Sequence, residues 1–117
     1  MENIDLLVLA AKAAGIEHVD YEGVGYDGSA GLVIIGEHGQ HLHGWDPLKD
    51  DGDALRLAVK LSLCVEVSGM FVHADMRHCD TDHGYVEENT ARNDGCIMRA
   101  TRRAITRAAA MIGESMP

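Results

Sequence analysis

Apolar residues recur at helical spacing in three segments of the chain. In residues 4–14 they cover most of one face, and Gly15 follows where a helix C-cap would stand. In residues 51–61 they form a wide arc beside a narrow polar ridge of Asp53, Arg56 and Lys60. A third apolar face runs through residues 97–112. The pattern predicts three amphipathic helices, the last of which ends at Gly113.

Shorter segments between these helices have the alternating or continuous apolar pattern of β-strands. These segments are residues 17–22, 30–38, 41–45, 64–67, 70–73 and 85–88. The continuous apolar block in residues 30–38 predicts a central strand that is covered on both faces. Ser68-Gly69 predicts a two-residue hairpin turn, and residues 85–88 predict a short edge strand.

The second predicted helix has a well-marked start in the string Trp45-Asp46-Pro47-Leu48-Lys49-Asp50-Asp51-Gly52-Asp53. Pro47 favours a turn, and Asp50 or Asp51 can accept hydrogen bonds from the free amides of the first helical turn. The acids lack the alternating ligands of a calcium loop, so we interpret them as helix caps. Asn93-Asp94-Gly95 supplies turn and cap residues for the last helix.

Together the segments predict an α+β (α/β) fold with the order α-β-β-α-β-β-α and an extra edge strand. Three helices with wide apolar faces favour a three-layer α-β-α sandwich around a mainly antiparallel sheet. At 117 residues the chain has the length of a single domain, which we place at residues 1–117.

Composition narrows the class of protein. Apolar residues make up 46% of the chain, which excludes disorder, and no apolar run approaches the ~20 residues of a membrane span. Glu2 and Asp5 stand where a signal peptide would be positively charged. The three cysteines have no paired spacing, which favours free thiols in a reducing cytoplasm. We therefore expect a soluble cytoplasmic protein without membrane contact.

The net charge of −9 is unevenly distributed. Residues 1–90 hold 5 basic and 17 acidic side chains, whereas residues 91–117 hold 5 basic and 2 acidic ones. Such an acidic body repels phosphate backbones, so no direct DNA binding is expected. It favours solubility or a basic partner.

Two segments are candidates for ligand binding. Gly23, Gly25 and Gly28 match the dinucleotide fingerprint G-x-G-x-x-G, but a strand pattern follows where that fingerprint needs a helix. We interpret this stretch as a hairpin loop. Ligand binding by the three glycines is a second hypothesis. In the last helix, three arginines form a ladder at four-residue spacing with a fourth beside it, and their guanidinium groups could bind phosphate or line a solvated face. They are Arg99, Arg102, Arg103 and Arg107.

The chain contains seven histidines, which raises the question of a metal site. The candidate ligands for zinc or another divalent metal are His73, His78, Cys79, Asp80, Asp82 and His83. Their spacing matches no diagnostic zinc motif, and solvated loop histidines are common. The chain also lacks a G-x-S-x-G elbow and an H-E-x-x-H helix. We therefore expect no cofactor and assign no catalytic residue.

Residues 45–61 and 100–113 resemble the phage ABA sandwich domain proteins of bacterial viruses and prophages. The two segments amount to about a quarter of the chain, and the order of elements around them also agrees. Asp46 stands where that family is expected to have asparagine. The resemblance implies phage origin, the bacterial cytoplasm and a three-layer fold. It implies no activity.

Our first hypothesis is a non-enzymatic binding module of a phage or prophage, acting in counter-defence. It would either block a host defence protein with its acidic surface or sequester a small nucleotide signal with the four arginines. One alternative is a metal-assisted hydrolase that uses the His/Cys/Asp loop. Another is a structural or interaction module, with a homo-oligomer as one form.

Overall fold

The computed structural model describes residues 3–21, 31–35, 39, 41–75 and 86–117. Its helices are α1 (Asn3–Ala14), α2 (Asp51–Lys60) and α3 (Ile97–Ser115). Its strands are β1 (His18–Tyr21), β2 (Gly31–Ile35), β3 (His41–Trp45), β4 (Cys64–Val67), β5 (Phe71–Asp75) and β6 (Val86–Asn89). A short 3-10 helix, Thr90–Asn93, precedes α3.

The strands form two antiparallel sheets in the described part of the chain, with the orders β1-β2-β3 and β4-β5-β6. The mixed α+β class and the antiparallel pairing are therefore confirmed, and the layers are consistent with an α/β sandwich. The order differs from the prediction, because each half of the chain contributes three strands. The one sheet that we expected is two small sheets.

Helix α3 contributes to two clusters of buried residues, and its small side chains allow close packing on both sides. Ala100, Ala104 and Ala108 are fully buried in a cluster with β5 and β6. Ile105 and Ala109 belong to a second cluster, which joins α1, α2 and the first sheet. The buried core is thus split between two sides of one helix.

The backbones of α1 and α3 approach each other closely at Gly113. A Cβ atom there would lie 2.0 Å from the carbonyl oxygen of Leu9. The prediction that Gly113 ends the last helix is wrong, because the helix continues to Ser115. Gly113 instead lets the two helix backbones approach each other.

The C-terminus of α1 is capped as predicted. Gly15 has a φ of +69°, which glycine adopts without steric cost. Its amide donates to the Lys12 carbonyl at 3.1 Å, and the Ile16 amide donates to the Ala11 carbonyl at 2.9 Å. This pair of bonds is a Schellman motif.

The start of α2 is also confirmed, with Asp50 as its N-cap. The Oδ2 atom of Asp50 accepts the Asp53 amide at 2.7 Å. Asp53 was predicted on the polar ridge with Arg56, but it is only 6% exposed. Its Oδ2 atom accepts the Asp46 amide at 3.0 Å, which ties the turn to the helix.

Two other turns differ from the prediction by one or more residues. Ser68 donates its amide to the Phe71 carbonyl at 2.9 Å, so the hairpin turn is Gly69-Met70. Asp94 and Gly95 have positive φ values, as turn residues do. The N-cap of α3 is Cys96, whose Sγ atom accepts the Arg99 amide at 3.4 Å.

Candidate functional site

The four candidate arginines of α3 are all within the described residues, and each is engaged by another part of the molecule. Arg99 donates to Asp94 at 2.6 Å on the surface. Arg102 is mostly buried and joins α3 to the start of α2. Its Nε atom donates to the Leu48 carbonyl at 2.9 Å and its Nη1 atom to Asp51 at 2.7 Å.

Arg103 and Arg107 converge on Glu88, a carboxylate that is 7% exposed. Arg107 donates to its Oε2 atom, and the Nε atom of Arg103 lies 3.8 Å from the same oxygen. The other oxygen, Oε1, accepts the Asn93 side-chain amide at 3.0 Å. These contacts compensate a buried charge and fix α3 against β6.

The arginine ladder thus has a structural use that the sequence alone did not reveal. A phosphate ligand would have to compete with Asp94, Asp51 and Glu88 for the guanidinium groups. Binding of a nucleotide by these arginines stays a prediction. The second ligand hypothesis, on Gly23, Gly25 and Gly28, falls outside the described residues.

His73 is the one predicted metal ligand that the structure describes. It lies on β5 between two acids of the neighbouring strands, with Nε2 at 2.9 Å from Glu87 and Nδ1 at 4.0 Å from Glu66. The other candidate ligands, His78, Cys79, Asp80, Asp82 and His83, lie outside the described residues. Within the residues described, no group of three or more His, Cys, Asp or Glu side chains is arranged to hold a metal ion.

Two of the three cysteines lie within the residues that the structure describes. Cys64 and Cys96 carry free thiols, as predicted, and Cys79 falls in a segment that the structure does not describe. None of the helices in the described ranges is both long enough and apolar enough to cross a membrane.

The most distinctive surface lies between α2 and α3. A groove of about 250 Å³ has Ala54 and Ile105 at its floor and Leu55 and Met98 as its walls. Leu55 is 64% exposed and Met98 is 50% exposed. Val59 lies one turn after Leu55 and is 70% exposed. We call Leu55, Val59, Met98 and the groove the α2–α3 surface.

The sequence prediction missed this surface because it assigned Leu55 and Val59 to the packing arc of the helix. In the structure, α2 buries Ala54, Leu57 and Ala58 against the core. The arc of six apolar residues was wider than one helix contact can cover. That excess width is the one feature of the sequence that could have indicated an exposed apolar strip.

Comparisons with known proteins add no identification. No protein-family model, no curated protein and no solved structure matches the chain.

Proposed function

We propose that this protein is a non-enzymatic binding module that docks a basic, apolar segment of a partner protein on the α2–α3 surface. The observation that carries the proposal is the exposure of Leu55 and Met98 on one apolar groove, with Val59 exposed one turn further along α2. Scattered apolar side chains are normal on protein surfaces, whereas a group around a groove is typical of an interaction site.

Burial of these three side chains would supply a useful part of a binding free energy. Covering the exposed part of a large aliphatic side chain contributes about 1–2 kcal/mol. Three of them would contribute about 3–6 kcal/mol before the entropic cost of association is subtracted. A weak or moderate complex needs further contacts at the rim, which charged groups can provide.

Charge complementarity favours a basic partner over a second copy of the chain. The protein has a net charge of −9, so two copies would repel each other. A segment that combines aliphatic residues with lysine or arginine would be attracted by the long-range field of the acidic chain. At the groove itself, Asp51 and Arg102 pair with each other, so its lining has no net charge. Its aliphatic side chains would fill the groove between Leu55 and Met98.

The proposed setting follows from the resemblance of residues 45–61 and 100–113 to phage ABA sandwich domains. In that setting the module acts in the cytoplasm of a bacterial host, and its partner is a host or defence protein. Blocking such a partner would be a counter-defence activity. The proposed docking needs no metal or cofactor, since apolar burial and charge supply the recognition.

A direct test uses two synthetic helical peptides with the same leucine pattern, one carrying lysines and the other glutamates. Calorimetry should show binding of the lysine peptide and no binding of the glutamate peptide. Affinity for the lysine peptide should fall as salt concentration rises. Equal heats for both peptides would contradict the charge part of the proposal.

Matched variants locate the surface. Leu55→Ser with Met98→Ser should weaken peptide binding by about tenfold or more, because two apolar contacts are lost. Val67→Ser is the control, since Val67 is also an exposed apolar residue but does not line the groove. Similar affinities for the double variant and the control would overturn the assignment. Light scattering of the free protein tests self-association, and a dimer that the double variant abolishes would assign the surface to a second copy.

A further inference from the structure

A separate cleft lies at the C-terminal end of α1, on a side of α2 that the proposed docking does not use. It has a volume of about 330 Å³. Six of its lining residues define its chemistry: Ile16, Ile34, Trp45, Arg56, Leu57 and Lys60. We infer that this cleft binds a small organic anion that has a flat apolar body and one acidic head group.

The apolar part of the lining suits a flat hydrophobic body. Ile34 reaches the cleft from β2 and Ile16 from the segment after α1. Leu57 and the Trp45 indole are nearly fully buried, so they form a fixed wall rather than a mobile one. An aromatic or branched aliphatic group placed here would exchange water for these side chains.

The cationic part of the lining comes from consecutive turns of α2. Lys60 is exposed and makes no hydrogen bond or ion pair among the residues that the structure describes. Arg56 donates to Asp53 at 2.8 Å, and this hydrogen bond raises the pKa of Arg56. Arg56 is therefore charged and held in place, and Lys60 is available to pair with an anion.

One acidic side chain also lines the cleft, and its charge is compensated. Asp53 accepts hydrogen bonds from Arg56 through one oxygen and from the Asp46 amide through the other. Asp50 lies a further 3.7 Å from the same guanidinium nitrogen. Arg56 therefore faces two carboxylates, and Lys60 is the cation of the cleft lining that has no carboxylate partner among the residues that the structure describes.

The two ends of the cleft differ enough to orient a ligand. Gly15 follows the C-terminus of α1 and Lys60 lies in the last turn of α2, so each end of the cleft is close to the negative end of a helix dipole. The ends differ because the ammonium of Lys60 lines the cleft and offsets that dipole at the α2 end only. The acidic head is therefore expected beside Lys60, with the apolar body towards Ile16 and Ile34. The volume is at the lower end of the ~300–1,000 Å³ range of ligand pockets, so a ligand of two or three rings would fill it.

The test uses a pair of dyes that differ in charge. 8-Anilinonaphthalene-1-sulfonate is an apolar anion, and N-phenyl-1-naphthylamine has the same rings without the sulfonate. Trp45 is the only tryptophan, so quenching of its emission reports binding near the cleft. The sulfonate dye should bind about 3- to 10-fold more tightly than the neutral dye, and this ratio should shrink at high salt.

Variants assign the effect to Lys60. Lys60→Gln should lower the affinity for the sulfonate dye about 3- to 10-fold and leave the affinity for the neutral dye unchanged. Lys60→Arg should retain the preference for the sulfonate dye. Leu55→Ser is the control for dye bound at the α2–α3 surface and should change neither affinity. Ile16→Phe should reduce both affinities by filling the cleft.

Three outcomes would overturn the inference: equal affinities for the two dyes, no effect of Lys60→Gln, or loss of both dyes in Leu55→Ser. Far-ultraviolet circular dichroism of each variant verifies that the fold is kept. Because Lys60 lies outside the groove, these results do not depend on whether the proposed peptide docking is correct.

Discussion

Replacing Gly113 by alanine should test how tightly α1 and α3 are packed. The new Cβ atom would lie 2.0 Å from the Leu9 carbonyl oxygen and 2.8 Å from its carbonyl carbon. Non-bonded carbon contacts require about 3.5 Å, so the helices must separate by more than about 1 Å. The obstacle is backbone, and no change of side-chain rotamer can relieve it.

The magnitude follows from two opposing effects. Overpacking costs about 1–3 kcal/mol, and the upper end is appropriate because separation also loosens the alanine contacts along the helix pair. Alanine in place of glycine within a helix returns about 1 kcal/mol. The net expectation is a loss of about 2 kcal/mol in the free energy of unfolding. For a chain of this length that corresponds to a fall of about 8 °C in Tm.

Urea denaturation, followed by circular dichroism and by Trp45 fluorescence, measures the effect. Gly69→Ala is the matched control, because a Cβ atom there meets nothing within 4 Å and its φ is outside the left-handed region. The control should stay within about 0.5 kcal/mol of the wild type. A Gly113→Ala protein as stable as the control would refute the close approach of the two helices.

Three further substitutions are expected to change stability. Glu88→Gln should lower the free energy of unfolding by about 2 kcal/mol, because Arg107 loses its buried charged partner. Glu87 is exposed, so Glu87→Gln should lower it by less in the same urea titration. Cys96→Ser should raise the free energy of unfolding by about 0.5 kcal/mol, and Tm slightly with it, because a hydroxyl is a better N-cap acceptor than a thiol. Burial raises the pKa of Asp46, so its contribution to stability is present below the ordinary value of 3.8 and is lost as pH rises through the raised native value. Asp46→Asn should therefore stabilise the protein at pH 7 by less than about 1 kcal/mol, and the gain should vanish in Tm measurements at acid pH.

The sequence predicts local structure best where one residue decides it. Pro47 and Asp50 determine where α2 begins, and Gly15 determines where α1 ends. Each acts through its own backbone angles or a hydrogen bond within a few residues. Such effects do not depend on the rest of the fold, so the pattern alone is sufficient.

Predictions that depend on distant partners are less successful. Gly113 has the same appearance in the sequence whether it ends a helix or faces Leu9, which lies 104 positions earlier. The spacing of Asp53 predicts a place on a polar ridge, but its carboxylate is buried and accepts a hydrogen bond from the Asp46 amide. The partner of Arg107 was equally hidden, because Glu88 lies on strand β6, 19 positions earlier in the chain. Local spacing contains no information on these contacts.

Helix α2 carries both proposed sites, and its geometry makes them separable. At about 100° per residue, Leu55 and Val59 form one strip of the helix and Arg56 and Lys60 form the neighbouring strip. The groove and the cleft have no lining residue in common. If both proposals are correct, Leu55→Ser should lower peptide affinity without changing the dye ratio, and Lys60→Gln should do the reverse. A variant that lowers both would indicate a general loosening of α2, because Ala54, Leu57 and Ala58 hold both strips against the same core.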